Sequence, residues 1–226
     1  MTTTKVAGVG CLTVALMAML STGAVQAARY EIDTLETRIT YETRYLAFIP
    51  VSGVFARMTG NLQYEPTKPV GERGAYIEVV IDATTLKPTT FDGESTRRML
   101  RGPAFFDVDR FPSSEFRSSK FRYEGEKLIA IDGDIKLVGV SKPVTLKVLK
   151  SGCEPASATR VARCTASTEL TVKRFEFGMK DWSGIVSDNV IIAVELVALA
   201  TDALSSVVAP ATPGSTVPTL IMVPLK

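Results

Sequence analysis

From Glu36 to Tyr45 the chain alternates without a slip. Thr37, Ile39, Tyr41, Thr43 and Tyr45 fall on one side, and Glu36, Arg38, Thr40, Glu42 and Arg44 fall on the other. A period of two places successive side chains on opposite faces, so this segment reads as a strand with one wet face. The pattern recurs. Ile77, Val79 and Ile81 oppose Glu78 and Asp82 within 75–83. Ile129, Ile131, Ile135 and Leu137 oppose Asp132, Asp134 and Lys136 within 128–137. Val144, Leu146 and Val148 alternate with Thr145 and Lys147, and Leu170 and Val172 with Glu169, Thr171 and Lys173. Val190 to Leu199 is apolar on both sides except at Glu195. Further strands are expected at Phe55 to Tyr64 and Ser114 to Tyr123, with a small extra strand at Tyr30 to Asp33. In 114–123, Phe116 and Phe121 break parity, and a bulge between them restores it. One helix is expected, over Gly93 to Gly102, with Ser95 as its cap and Gly102-Pro103 as its stop. Many short strands without alternating helices make an all-β sandwich or barrel. A barrel leaves no sheet edge, and eight strands enclose room for side chains or one small ligand.

The ends of the chain read differently. Lys5 precedes an uncharged apolar run from Val6 to Leu20, and Val25 and Ala27 precede a cleavage point after Ala27. That order is a secretory signal. The run is shorter than the roughly 20 residues of a membrane span, which disfavours an uncleaved anchor. Cys11 lies inside the run rather than at its end, which disfavours a lipidated cysteine. The expected organisation is a signal peptide over 1–27, one domain over 28–200, and a flexible tail over 201–226 rich in Pro, Ala, Ser and Thr. An exported chain meets an oxidising compartment, where Cys153 and Cys164 can close a disulfide at the base of a hairpin; two buried thiols are the alternative.

Charge and composition narrow the chemistry. Lys5 is the one charged residue of 1–27, so its loss takes the net charge from +2 to +1, too little for a nucleic-acid binder. The chain contains no histidine. Ser-His and Cys-His nucleophile systems and His-ligated metal sites are therefore excluded. Asp132 and Asp134 share the charged, outward parity, which suits neither a sheltered acid nor a sheltered base. No catalytic residue, metal or cofactor is expected.

Three stretches point further. They are Arg97-Arg98-Met99-Leu100-Arg101-Gly102-Pro103-Ala104-Phe105-Phe106-Asp107-Val108-Asp109-Arg110-Phe111-Pro112, then Asp132-Gly133-Asp134-Ile135-Lys136-Leu137-Val138-Gly139-Val140-Ser141-Lys142-Pro143-Val144-Thr145-Leu146, then Phe175-Glu176-Phe177-Gly178-Met179 with Val186-Ser187-Asp188-Asn189-Val190 close behind. In order and spacing they resemble the YceI-like family of bacterial periplasmic, polyisoprenoid-binding proteins, over about Arg29 to Ala200. The resemblance implies an eight-stranded antiparallel barrel of lipocalin type with one short helix. It implies an isoprenoid chain, a quinone tail or polyprenyl lipid, held in an elongated apolar cavity, and no catalysis. It also implies a periplasmic location. Members often carry histidines in the first strand region and beside the glycine that follows it. This chain reads Thr37-Arg38 and Tyr45-Leu46-Ala47 there, so any headgroup contact made by those histidines is lost or replaced.

The apolar side of each strand must face inward, because the other side is charged. The residues expected to line a ligand are Ile39, Tyr41, Phe55, Ile77, Val79, Ile81, Ile129, Ile131, Phe177 and Trp182, with Met99 and Leu100 from the helix and one of Phe105 and Phe106. Tyr41 and Trp182 also offer a polar tip to a headgroup. The competing reading of every such residue is plain core filling. Asp92, Glu94, Arg97, Arg98 and Arg101 form either a charged rim for a headgroup or membrane surface or a solvated helix face. The expected role is a carrier or scavenger of an apolar lipid. Peripheral membrane contact and a homodimer stay open. The alternative is a non-catalytic interaction module using the barrel exterior or the tail.

Overall fold

Eleven strands and one helix make up the computed structural model, which describes residues 28–65, 68–70, 73–90 and 93–201. The segment 1–27 expected to be a signal peptide, Asp92 and the expected tail after Thr201 lie outside the described residues. The strands are β1 (Arg29–Ile32), β2 (Arg38–Tyr45), β3 (Ile49–Phe55), β4 (Met58–Gln63), β5 (Tyr76–Asp82), β6 (Leu86–Pro88), β7 (Ser113–Glu124), β8 (Lys127–Leu137), β9 (Val140–Glu154), β10 (Arg163–Lys173) and β11 (Asn189–Ala200). The helix is α1 (Gly93–Arg101).

The registers reduce eleven strands to eight. β1 and β2 follow one another along the same edge of β11, with Tyr30 opposite Ala200 and Ile39 opposite Val194. β3 and β4 likewise lie end to end against β2 and β1, and β6 and β5 lie end to end against β3 and β4. Three split strands and the five continuous ones, β7 to β11, close an eight-stranded antiparallel barrel in which each strand neighbours the next in sequence. The closure is the β1–β11 and β2–β11 pairing.

The three splits, at Asp33–Thr37, Ala56–Arg57 and Ala83–Thr85, are neighbours across the sheet. Threonine side chains supply the ladder bonds missing there. The buried Thr37 hydroxyl donates to the Val197 carbonyl at 3.1 Å and accepts from the Val197 amide at 3.0 Å. Thr85 Oγ1 accepts from the amides of Ala56 and Arg57 and donates to the Asp82 carbonyl. A buried amide without a partner costs about 1–3 kcal/mol, so these two hydroxyls make the breaks tolerable.

Several expectations need correction. The segment Phe55 to Tyr64 is not one strand, because it breaks at Ala56–Arg57; a strand over Ile49–Phe55 precedes it. Pro50 and Gly53 had masked that strand, since neither has strand propensity. Ser95 lies in the first turn of α1 instead of capping it. The bulge in β7 falls between Ser118 and Lys120, where parity required it. A second register shift leaves Ile129 of β8 unopposed, and a third leaves Leu149 of β9 unopposed. Cys153 and Cys164 face each other across β9 and β10 and are joined in a disulfide. Closing so short a loop contributes about 2–3 kcal/mol.

Candidate functional site

The inward faces of the barrel do not fill it. They enclose a cavity of about 1080 Å³ that runs between the two barrel ends. This is at or above the usual size of a small-molecule site. Its wall is mainly apolar, with Ser114 and Thr168 among the strand residues and Arg73, Glu126, Lys127 and Lys150 toward one end.

Strand parity puts most of the expected residues on this wall. Ile39 and Tyr41 come from β2, Phe55 from β3, Ile77, Val79 and Ile81 from β5, and Ile131 from β8. Met99 and Leu100 of α1 line it from the end that the helix closes. Phe105 and Phe106 both line it as well, because the chain there turns instead of running extended. Two expectations fail. Ile129 is off the wall: as the extra residue of its bulge it loses its inward parity, and Leu128 lines the cavity in its place. Phe177 is buried in the core but stands outside the cavity, in the short 3₁₀ turn after β10. Trp182 reaches the wall while remaining 45 % exposed, at a backbone φ of 58°. Its loop is what turns it to the rim. The β10 and β11 wall, including Leu170, Val172, Ile192 and Val194, follows from the same alternation and completes the ring.

Tyr41 puts a buried phenol on this wall. It is 5 % exposed, its ring packs against Phe55 at 5.8 Å, and Phe55 packs edge-on against Phe106 at 5.7 Å. Its hydroxyl lies over Gly53, where a Cβ would come within 2.2 Å of the oxygen and 2.6 Å of the Lys87 carbonyl. Glycine is therefore required opposite Tyr41. The hydroxyl makes no hydrogen bond with the protein. Burial raises its pKa well above the ordinary phenol value, so it remains a neutral donor. An unpartnered donor in an apolar wall is a ready partner for one ligand oxygen.

A second buried group holds one end shut. Arg174 is 2 % exposed, and its guanidinium donates to the backbone carbonyls of Ser187, Asp181, Val186 and Met179. It also stacks over Phe175 and Phe105, 4.6 and 5.6 Å from the ring centroids. Desolvation lowers its pKa, and the Asp188 and Asp181 carboxylates act against that shift. Asp188 in turn accepts from the Phe175 amide. One side chain thus ties the whole 174–188 crossing over the barrel end beside α1. The sequence pointed to this segment, yet nothing in its pattern marked the arginine as buried.

At the other end, Arg73 pairs with Glu126 and stacks over Tyr123 at 5.3 Å, and Arg73, Glu126, Lys127 and Lys150 all reach the cavity. Burial pushes the Tyr123 phenol up to about 12. Among the described residues no group of His, Cys, Asp and Glu is placed to hold a metal ion.

Known proteins share this architecture. A family model described as the YceI-like domain matches residues 30–198. A UPF0312 protein of Pseudomonas putida is 29 % identical over 167 residues, covering 72 % of this chain and 82 % of its own. Protein YceI of Shigella flexneri is 27 % identical over 183 residues, covering 78 % and 91 %. The crystal structure of BcnA from Burkholderia cenocepacia superimposes with a TM-score of 0.59 at 21 % identity, over 74 % of this chain and 98 % of that one. A polyisoprenoid binding domain from Saccharophagus degradans superimposes with a TM-score of 0.55 at 13 % identity, over 77 % and 99 %.

Proposed function

The chain belongs to the YceI-like domain family, and from its cavity we propose that it is a carrier or scavenger that holds a long apolar lipid of isoprenoid type inside the barrel. The observation that carries this reading is the mainly apolar 1080 Å³ cavity, with the buried and unpartnered hydroxyl of Tyr41 on its wall. Burying an apolar chain there is favourable by roughly 25 cal/mol per Å² before the costs of association. Ile39, Tyr41, Phe55, Ile77, Val79, Ile81, Met99, Leu100, Phe105, Ile131 and Trp182 are the proposed contacts. The likeness to a polyisoprenoid binding domain supports the ligand class. A ligand oxygen bonded to Tyr41 suits a quinone carbonyl or a polyprenol hydroxyl. The role is binding without turnover: there is no histidine, and the two strand carboxylates Asp132 and Asp134 lie away from the cavity. We place the protein in the periplasm after cleavage at Ala27, in keeping with the leader pattern and the disulfide.

Displacement of an apolar fluorescent probe tests the proposal. Isoprenoid quinones and polyprenols compete for the probe at stoichiometric levels. Failure of every isoprenoid, quinone and fatty chain to compete refutes it.

A further inference from the structure

The β8–β9 ladder runs from Leu137↔Val140 to Ala130↔Lys147 and ends there. Both strands continue: β8 to Lys127 and β9 to Glu154. Each carries its extra residue at this point, Ile129 in β8 and Leu149 in β9. A bulge bends its strand, and the β8–β9 pairing stops next to the two bulged residues. The cavity wall extends into this region through Glu126, Lys127, Leu149, Lys150 and Ser151. Leu149, 50 % exposed, stands at the rim. The ladder is thus interrupted on this side of the barrel, whereas the helix and the loop tied to Arg174 lie over its α1 end.

The groups around the gap are mainly cationic. Arg73 and Glu126 neutralise each other in an ion pair. Lys127 and Lys150 form no ion pair among the described residues; Glu124 opposes Lys127 in register without bonding to it. The β9 backbone groups facing β8 beyond Lys147 also have no ladder partner. Two free ammonium groups and unpaired backbone beside an apolar channel match the oxygens of an acidic headgroup. We propose that the gap between β8 and β9 is a lateral opening of the cavity and holds the anionic end of an amphiphile whose apolar chain lies inside. This inference rests on the reading of the cavity as a lipid site.

Farnesol and farnesyl monophosphate share one chain and differ in charge, so the ratio of their affinities isolates the gap. Each lysine near an anionic head tightens binding about fivefold, so the two together bind the phosphate about thirtyfold more tightly at low salt. The preference shrinks as salt is added. In the Lys127→Gln/Lys150→Gln protein the ratio falls to about one, while farnesol binds as before, which also verifies the fold. Equal affinities in the parent protein, or a preference that survives the double substitution, overturn the inference and leave the cavity reading intact. Binding of neither ligand overturns both.

Discussion

Replacing Tyr41 with phenylalanine separates what the hydroxyl costs from what it does. The ring stays, with its packing on Phe55 at 5.8 Å and its place over Gly53. Only the oxygen leaves, and that oxygen is buried and unpartnered. Leaving such a group unsatisfied costs about 1–3 kcal/mol, so Tyr41→Phe stabilises the ligand-free barrel by about 1–2 kcal/mol. For a domain of this size that is a rise in Tm of roughly 3–6 °C. The substitution has the opposite effect on binding: a ligand oxygen that accepts from Tyr41 loses one hydrogen bond, so its Kd rises about 3–10-fold, while a pure hydrocarbon of the same length is unaffected. Solvent-stripped protein is melted by calorimetry with the disulfide intact, and the probe is then titrated out by a polyprenol and by its hydrocarbon analogue. A fall in Tm on Tyr41→Phe would refute the reasoning, since it would mean the hydroxyl has a partner in the empty barrel.

Other substitutions have clear expected outcomes. Gly53→Ala places a Cβ against the Tyr41 oxygen and the Lys87 carbonyl, so it destabilises the barrel by on the order of 2 kcal/mol and disturbs the wall at Tyr41; the combined Gly53→Ala/Tyr41→Phe protein recovers part of the loss, as a denaturant double-mutant cycle will show. Arg174→Met leaves four carbonyls of the 174–188 crossing without their donor and lowers stability by about 3 kcal/mol or more, with amide exchange in that loop rising first. Converting both Cys153 and Cys164 to serine costs about 2–3 kcal/mol in denaturant unfolding and leaves ligand affinity within a few-fold. Ile131→Trp, on the wall in mid-barrel, fills part of the cavity and weakens probe binding at least tenfold without loss of fold; unchanged binding would place the ligand elsewhere.

How far the sequence could be read depended on what each residue does locally. Alternation is a local property, and it located β2, β5, β7, β8, β9 and β10 together with their inward faces. The mismatch between Phe116 and Phe121 even located a bulge, because restoring parity demands one extra residue. Ile129 went wrong for the same reason in reverse. Nothing in Leu128-Ile129-Ala130-Ile131, four apolar residues in a row, says which one is extra, and the choice is made by pairing to Tyr123 and Arg122. Splitting of three strands was likewise illegible, since it depends on Thr37 and Thr85 replacing backbone partners that lie far away in sequence. Arg174 looks like any surface arginine until the loop wraps around it. Non-local satisfaction of polar groups, more than apolar packing, is where the pattern ran out.

The central claim is that the cavity holds a lipid, and native mass spectrometry of the protein isolated without detergent from its source cells tests it most directly, followed by solvent extraction and fragmentation of whatever is released. The account predicts a one-to-one adduct that fragments in isoprene steps and that quinones or polyprenols restore after stripping. A protein that carries no adduct and takes up none of these chains would contradict it, and the cavity would then have to serve something other than a lipid.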